Sequence, residues 1–173
     1  MKIVIIIISL VAVVIATGFV IKQFVIRYER KKLMAQLLKL PPVKADFSMP
    51  EGAILCLQDT YPWQDIEAAV ACLDFATQAK LYLKDTYAFD KELQKTMQSE
   101  ITKTMEKSYR ENWAEHPWIG WDRVQSFFPK REPYAEGIVV VNEVIQGPDG
   151  SLLRQRISCV RNAKGLESCG PLA

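Results

Sequence analysis

The stretch Gly137–Arg161, GIVVVNEVIQGPDGSLLRQRISCVR, decides the fold class of this chain. Val139, Val140, Val141, Val144 and Ile145 crowd one run with β-branched side chains, which suit an extended, half-buried backbone. Gly147-Pro148-Asp149-Gly150 then breaks the run with turn-forming residues, and an alternating run from Ser151 to Arg161 follows. Working outward, a strand is expected at about Val124–Phe128, the two quoted runs give strands over Gly137–Gln146 and Ser151–Arg161, and a short one falls near Leu166–Cys169. Asn162-Ala163-Lys164-Gly165 supplies the last turn. If that turn is a three-residue loop centred on Lys164, Cys159 faces Cys169 across the hairpin, a position from which a disulfide can form.

Upstream of Pro117 the apolar spacing changes to that of helices. Ser48-Met49-Pro50-Glu51 has the form of a capping box, with proline in the first turn. Ala53, Ile54, Leu57 and Tyr61 then share one helical face, and Pro62 stops the helix. Asp65 is placed to cap a second helix bearing Ile66, Ala69, Val70 and Leu73. After Asp74, a third segment aligns Phe75, Ala79, Tyr82 and Leu83. Asp90 caps the longest helix, whose stripe is Leu93, Met97, Ile101, Met105, Tyr109 and Trp113. Helices followed by an antiparallel sheet define an α+β class, in which the sheet must curl over the helices to bury its apolar side chains.

The first residues have another character. Between Ile3 and Ile26 only Ser9, Thr17, Gly18, Lys22 and Gln23 interrupt an apolar run, which predicts a membrane-spanning helix over residues 1–26. As an α-helix this run extends about 36 Å, enough to cross a bilayer core. A cleaved signal peptide is the alternative, disfavoured because the run continues well past the small residues near Ala16. Residues 27–46 follow as a basic juxtamembrane helix and a Pro41-Pro42 linker, with contact to anionic lipid expected through residues 1–40. Residues 47–173 form the globular domain. The basic flank Arg27-Tyr28-Glu29-Arg30-Lys31-Lys32 argues for a cytoplasmic domain. Four cysteines, an even number, argue for an oxidising, periplasmic one. Charge asymmetry is given the greater weight.

Pro50-Glu51-Gly52-Ala53, then Asp59, Tyr61, Asp65-Ile66-Glu67-Ala68-Ala69, and Asp74-Phe75 to Ala79 and Leu81, resemble the opening of small nuclear-transport-factor-2-like domains. In particular they are similar to bacterial immunity proteins, the antidotes of polymorphic or type VI secretion toxins. The resemblance covers roughly a third of the domain and carries fold more than role. It implies a cone of sheet closed by a long helix, a cognate toxin as partner, and a place at the bacterial inner membrane. Type IV secretion assembly components, with one N-terminal helix and a periplasmic domain of this fold, are the alternative. Similar sequences carry a basic residue before the Asp-Phe pair, where Leu73 stands here, so no role of that residue is carried over.

Catalytic signatures are missing from the sequence. His116 is the single histidine. With Asp74, Glu115 and Asp122 it could form an acid/base group, as in isomerases or dehydratases of the resembled fold, although a loop histidine before proline is more often a packing or surface residue. Neither a glycine-rich phosphate loop nor a nucleophile elbow occurs, so an enzyme is not expected and no cofactor is called for. Cys56 and Cys72 fall on separate helices, and Cys159 and Cys169 lack nearby histidines, so no metal site is expected. A net charge of +2, with the basic residues concentrated near the N-terminus, gives no case for nucleic acid. Trp113, His116, Trp118, Trp121, Phe127 and Tyr134 remain as a candidate binding surface. The same aromatics can serve as the core joining helix to sheet, and the general tendency of such residues to be buried favours that role.

Overall fold

The structure is a computed structural model. It describes the backbone of residues 2–86, 90–115, 120–135, 137–161 and 167–171, and the side chains of 15–84, 90–115, 120–134 and 137–161. Two compact units result, Met1–Leu40 and Pro41–Ala173. The first is one helix, α1 (Lys2–Leu37), continuous through the boundary at residue 26.

The expected membrane-spanning helix is overturned: among the described residues, no helix is long and apolar enough to cross a membrane. The part of α1 with described side chains begins at Ile15, and Lys22, Arg27, Glu29, Arg30, Lys31 and Lys32 fall within it. Among the residues with described side chains, the uncharged stretch before Lys22 is Ile15–Ile21, far short of the roughly 20 residues a bilayer core requires. The single-pass inner-membrane location, and the choice of side drawn from it, are withdrawn with that helix.

The second unit is α+β. Four helices come first: α2 (Pro50–Gln58), α3 (Ile66–Ala71), α4 (Phe75–Thr86) and α5 (Lys91–Glu115). A 3₁₀ turn, Trp121–Arg123, leads into the strands β1 (Gln125–Ala135), β2 (Ile138–Gln146), β3 (Leu152–Arg161) and β4 (Glu167–Pro171). They form an antiparallel meander in the order β1-β2-β3-β4.

Asp65 and Asp90 cap helices as expected, and Asp74 caps one as well. Asp65 accepts from the Ala68 N–H at 3.0 Å, Asp74 from the Thr77 N–H at 2.9 Å, and Asp90 from the Leu93 N–H at 2.8 Å. The start of α2 differs from the expected capping box, since Met49 is its N-cap and no side chain caps it. Ser48 instead donates from its N–H and hydroxyl to Asp46, holding that carboxyl below its usual range. Glu51 is drawn away by a stronger partner, the Arg131 guanidinium of β1, which donates to both carboxylate oxygens.

The first strand runs longer than expected, through Pro129 and Pro133. Its register with β2 shifts between Phe127 and Lys130 and again between Pro133 and Ala135. A proline cannot donate to the ladder, so it is accommodated where an edge strand is irregular, as both are here. The β2–β3 turn is as predicted. Gly150 takes φ +74°, its N–H donates to the Gly147 carbonyl at 2.8 Å, and Asp149 accepts from the Ser151 N–H at 2.8 Å.

Across the sheet, α2 is the helix that builds the core. Ala53, Ile54 and Leu57 cluster with Val141 of β2 and Cys159 of β3, joined by Ala69, Cys72 and Trp113. Helices α4 and α5 pack along each other. The stripe on α5 is buried only at Trp113, while Met97, Ile101 and Met105 are half-buried and Leu93 is exposed. At Gly52 the preceding chain crosses α2 so closely that an added Cβ would lie 2.3 Å from the Asp46 carbonyl oxygen and 2.7 Å from that of Lys44. Gly52→Ala must displace backbone at both contacts. It is expected to lower unfolding stability by about 2 kcal/mol or more in urea titration. Unchanged stability would show that the 44–46 segment does not lie against α2.

Candidate functional site

The corner between α2 and α3 follows directly from the end of α2. Thr60 donates its hydroxyl to the Leu57 carbonyl at 2.6 Å. Asp65 N–H reaches back to the Thr60 carbonyl at 3.2 Å, and Gln64 N–H to that of Tyr61 at 3.1 Å. These bonds turn the chain back within a few residues and force Gln64 to φ +53°, a left-handed conformation uncommon for a residue with a side chain. Asp65 then caps α3. At the apex stands Trp63, 83% exposed, on a backbone fixed from both sides.

Beneath the apex the aromatic rings form a continuous series. Tyr61 lies 5.3 Å from Trp113 and meets Trp121 edge-on at 4.7 Å. Trp113 continues to Tyr109 at 5.8 Å, and Tyr109 meets Phe75 edge-on at 5.7 Å. Edge-on and tilted pairs at these spacings are favourable beyond their buried area. Burial pushes the Tyr109 phenol up to about 12, with the nearby Cys72 sulfur adding to the rise. Behind the corner, Arg110 of α5 clamps α3: its two terminal nitrogens donate to Glu67 at 2.6 and 3.1 Å, and its Nε to Glu106 at 3.0 Å. The guanidinium holds the Glu67 carboxyl below its usual range.

The expected binding surface is thus divided. Trp113 and Phe127 are buried, Trp113 in the core cluster. Trp121 is half-buried against Tyr61, and Tyr134 is 52% exposed on β1. His116 and Trp118 lie outside the described residues. Of the groups considered with His116, Asp74 is occupied at the start of α4, its second oxygen accepting from the Thr77 hydroxyl at 2.9 Å. Asp122 is exposed beside Arg123, and Glu115 is exposed at the end of α5. Trp63 was missed because it interrupts no periodic stripe. The dipeptide Pro62-Trp63 between two predicted helices is the signal that could have found it.

The sheet also holds a buried carboxylate that sequence reading overlooked. Glu143, 1% exposed on β2, accepts from Gln58 Nε2 of α2 and Gln155 Nε2 of β3, each at 2.6 Å. Gln58 Oε1 in turn accepts from the Ser126 hydroxyl at 2.9 Å. Both carboxylate oxygens are satisfied, which is what makes a buried acid tolerable. The network ties the last residue of α2 to three strands. Among the described residues no group of histidine, cysteine or acidic side chains could hold a metal ion.

Comparison of the chain with protein-family models, curated proteins and solved structures finds no match. The fold class therefore stands on the elements described above.

Two outcomes follow from these environments. Gln58→Leu strands one oxygen of Glu143 and is expected to cost about 2–3 kcal/mol in denaturant unfolding. Glu143→Gln is expected to cost less than about 1 kcal/mol, because the Ser126 hydroxyl can accept as well as donate, so the Gln58 amide can reverse and satisfy the new NH₂. Equal losses in the two variants would show that the network is not closed in this way. For the thiols, burial pushes Cys72 up to about 11, and the neighbouring Cys56 adds to it. Iodoacetamide labelling of Cys72 in the native protein at pH 8 is expected to run at least about a hundredfold slower than for an exposed thiol, as read by peptide mass spectrometry.

Proposed function

We propose that the unit Pro41–Ala173 is a protein-recognition domain of immunity type, which neutralises a cognate secreted toxin by binding it through the Tyr61–Asp65 corner. The observation that carries the reading is Trp63: a large aromatic side chain, 83% exposed, on a backbone already held in a left-handed turn by hydrogen bonds and a helix cap. Tryptophan is the residue type most enriched at the energetic centres of protein interfaces, and one presented on a pre-organised backbone loses little further freedom on binding. Tyr61, two residues before it in the same corner, is half-buried and meets half-buried Trp121 edge-on, which adds aromatic surface to the corner.

The toxin as partner comes from the resemblance of Pro50–Leu81 to immunity proteins, and the Tyr61–Asp65 corner falls inside that stretch. The alternative of a secretion-system assembly component drew on a membrane-spanning N-terminal helix and loses that support.

The test is binding of the purified chain to the protein encoded by the adjacent gene, with growth protection on co-expression. A complex and protection are expected. Trp63→Ala is expected to weaken the complex by about thirtyfold, from a loss of about 2 kcal/mol, with the unfolding midpoint unchanged. Absence of both complex and protection rejects the toxin partner. A complex indifferent to Trp63→Ala rejects the corner as its contact surface.

A further inference from the structure

The cysteines of the last hairpin carry an inference independent of the binding reading. Cys159 of β3 and Cys169 of β4 are directly opposed Cα partners in the antiparallel ladder. Two kinds of opposed pair alternate along such a ladder, and hydrogen bonding on the other side of β3 shows which kind this is. The Arg161 N–H donates to the Gly137 carbonyl at 3.4 Å, so Arg161 directs its backbone groups toward the β2 side. Backbone groups alternate between the two neighbours along a strand, and the β2–β3 register is unbroken from Ile138↔Val160 to Gln146↔Leu152. Cys159, two residues before Arg161, therefore also faces β2. Across the β3–β4 ladder, Cys159 and Cys169 are consequently a non-hydrogen-bonded pair. This is the closer kind, with Cα atoms about 4.5 Å apart, inside the range of about 4.4–6.8 Å that a disulfide spans.

The surroundings give such a bond a structural consequence. Cys159 is fully buried, and its thiol sits 3.7 Å from the Pro50 carbonyl oxygen at the start of α2. The short strand β4 ends the meander, pairs among the described residues with β3 alone, and packs against α2. An end strand held by one ladder is the part of a sheet most exposed to opening. Cys56 stands on α2 and Cys72 at the end of α3, outside the ladder that opposes Cys159 and Cys169.

We propose that Cys159 and Cys169 form a cross-strand disulfide that ties β4 to β3 beneath the start of α2. The oxidant is a low-molecular-weight disulfide such as oxidised glutathione. One protein thiolate attacks it, releasing one glutathione thiolate and leaving a mixed disulfide. The second protein thiolate then displaces the other glutathione. In total two cysteine S–H bonds and one glutathione S–S bond are broken, one protein S–S bond is formed, and two reduced glutathione molecules carry away the protons and electrons.

The test equilibrates the full chain in a buffer of reduced and oxidised glutathione, quenches it with acid, and maps it without reduction. The expected product is one cross-linked species joining the peptides of Cys159 and Cys169, lighter than the reduced chain by two hydrogen atoms, with Cys56 and Cys72 still thiols. Its thermal midpoint is expected to lie about 5–10 °C above that of the reduced chain. Cys169→Ser, at the end strand, is expected to remove both the cross-link and the midpoint difference. Cys159→Ser tests the same bond from the buried side, and retention of a cross-link in either variant overturns the assignment. Separate glutathione adducts on Cys159 and Cys169, persistence of both residues as unmodified thiols, or a Cys56–Cys72 bond formed in place of the cross-link each overturn it as well.

Discussion

The seating of α2 on the sheet is the constraint from which the rest of the Pro41–Ala173 unit follows. Its apolar face, Ala53, Ile54 and Leu57, closes over Val141 and Cys159, and polar contacts at its two ends fix where along the sheet it lies. At the first turn Glu51 binds Arg131 of β1, and at the last residue Gln58 binds the buried Glu143 of β2. Apolar burial alone is non-directional and would tolerate sliding. A carboxylate that must find its partners in a dry environment does not, because displacing α2 by one residue would strand the Glu143 oxygen that accepts from Gln58. Gly52 adds a steric stop, since the chain at residues 44–46 crosses α2 at backbone contact distance.

The position of the exposed corner depends on that seating. Thr60, Asp65 and Gln64 extend α2 into a hydrogen-bonded turn, so Trp63 inherits the rigidity of a helix anchored at both ends. The Arg110 clamp on Glu67 fixes the far side of the corner, and the ring series from Tyr61 to Phe75 fills the space beneath it. A recognition residue on such a support meets a partner without reorganising its backbone. Surface exposure and pre-organisation occur here in the same few residues, which favours binding over a structural role for Trp63.

Much of the architecture was readable from residue pattern. The aspartates at 65, 74 and 90 mark helix starts because a short carboxylate satisfies the first free N–H groups whatever the tertiary context. The valine-rich run and Gly-Pro-Asp-Gly turn placed β2 and β3 to within a residue or so. Readings failed where a long-range partner competed with a local one. Glu51 looked like a capping residue until Arg131, eighty positions away, supplied a better partner. The first strand was expected over only Val124–Phe128, because local rules do not reveal that an edge strand can absorb Pro129 and Pro133 in an irregular register. The apolar N-terminal run was read as a membrane span with the charges after Ile26 as its basic flank, whereas among the described residues no helix is long and apolar enough to cross a membrane. For the site, the aromatic concentration around Trp113 and Trp121 was visible, but its division into core and surface depends on packing no spacing rule contains. Glu143 was invisible among valines because its partners, Gln58 and Gln155, lie on two other elements.

Native-state hydrogen exchange tests the dependence on α2 most directly. If the helix and sheet are locked together as described, the amides of Ile54–Leu57 and those of Val140–Glu143 will exchange only through a common opening, with the same free energy and the same dependence on urea. Exchange of the α2 amides through a separate, low-energy opening while the β2 amides stay protected would contradict the account, because the helix would then be a loose cover on an independently stable sheet.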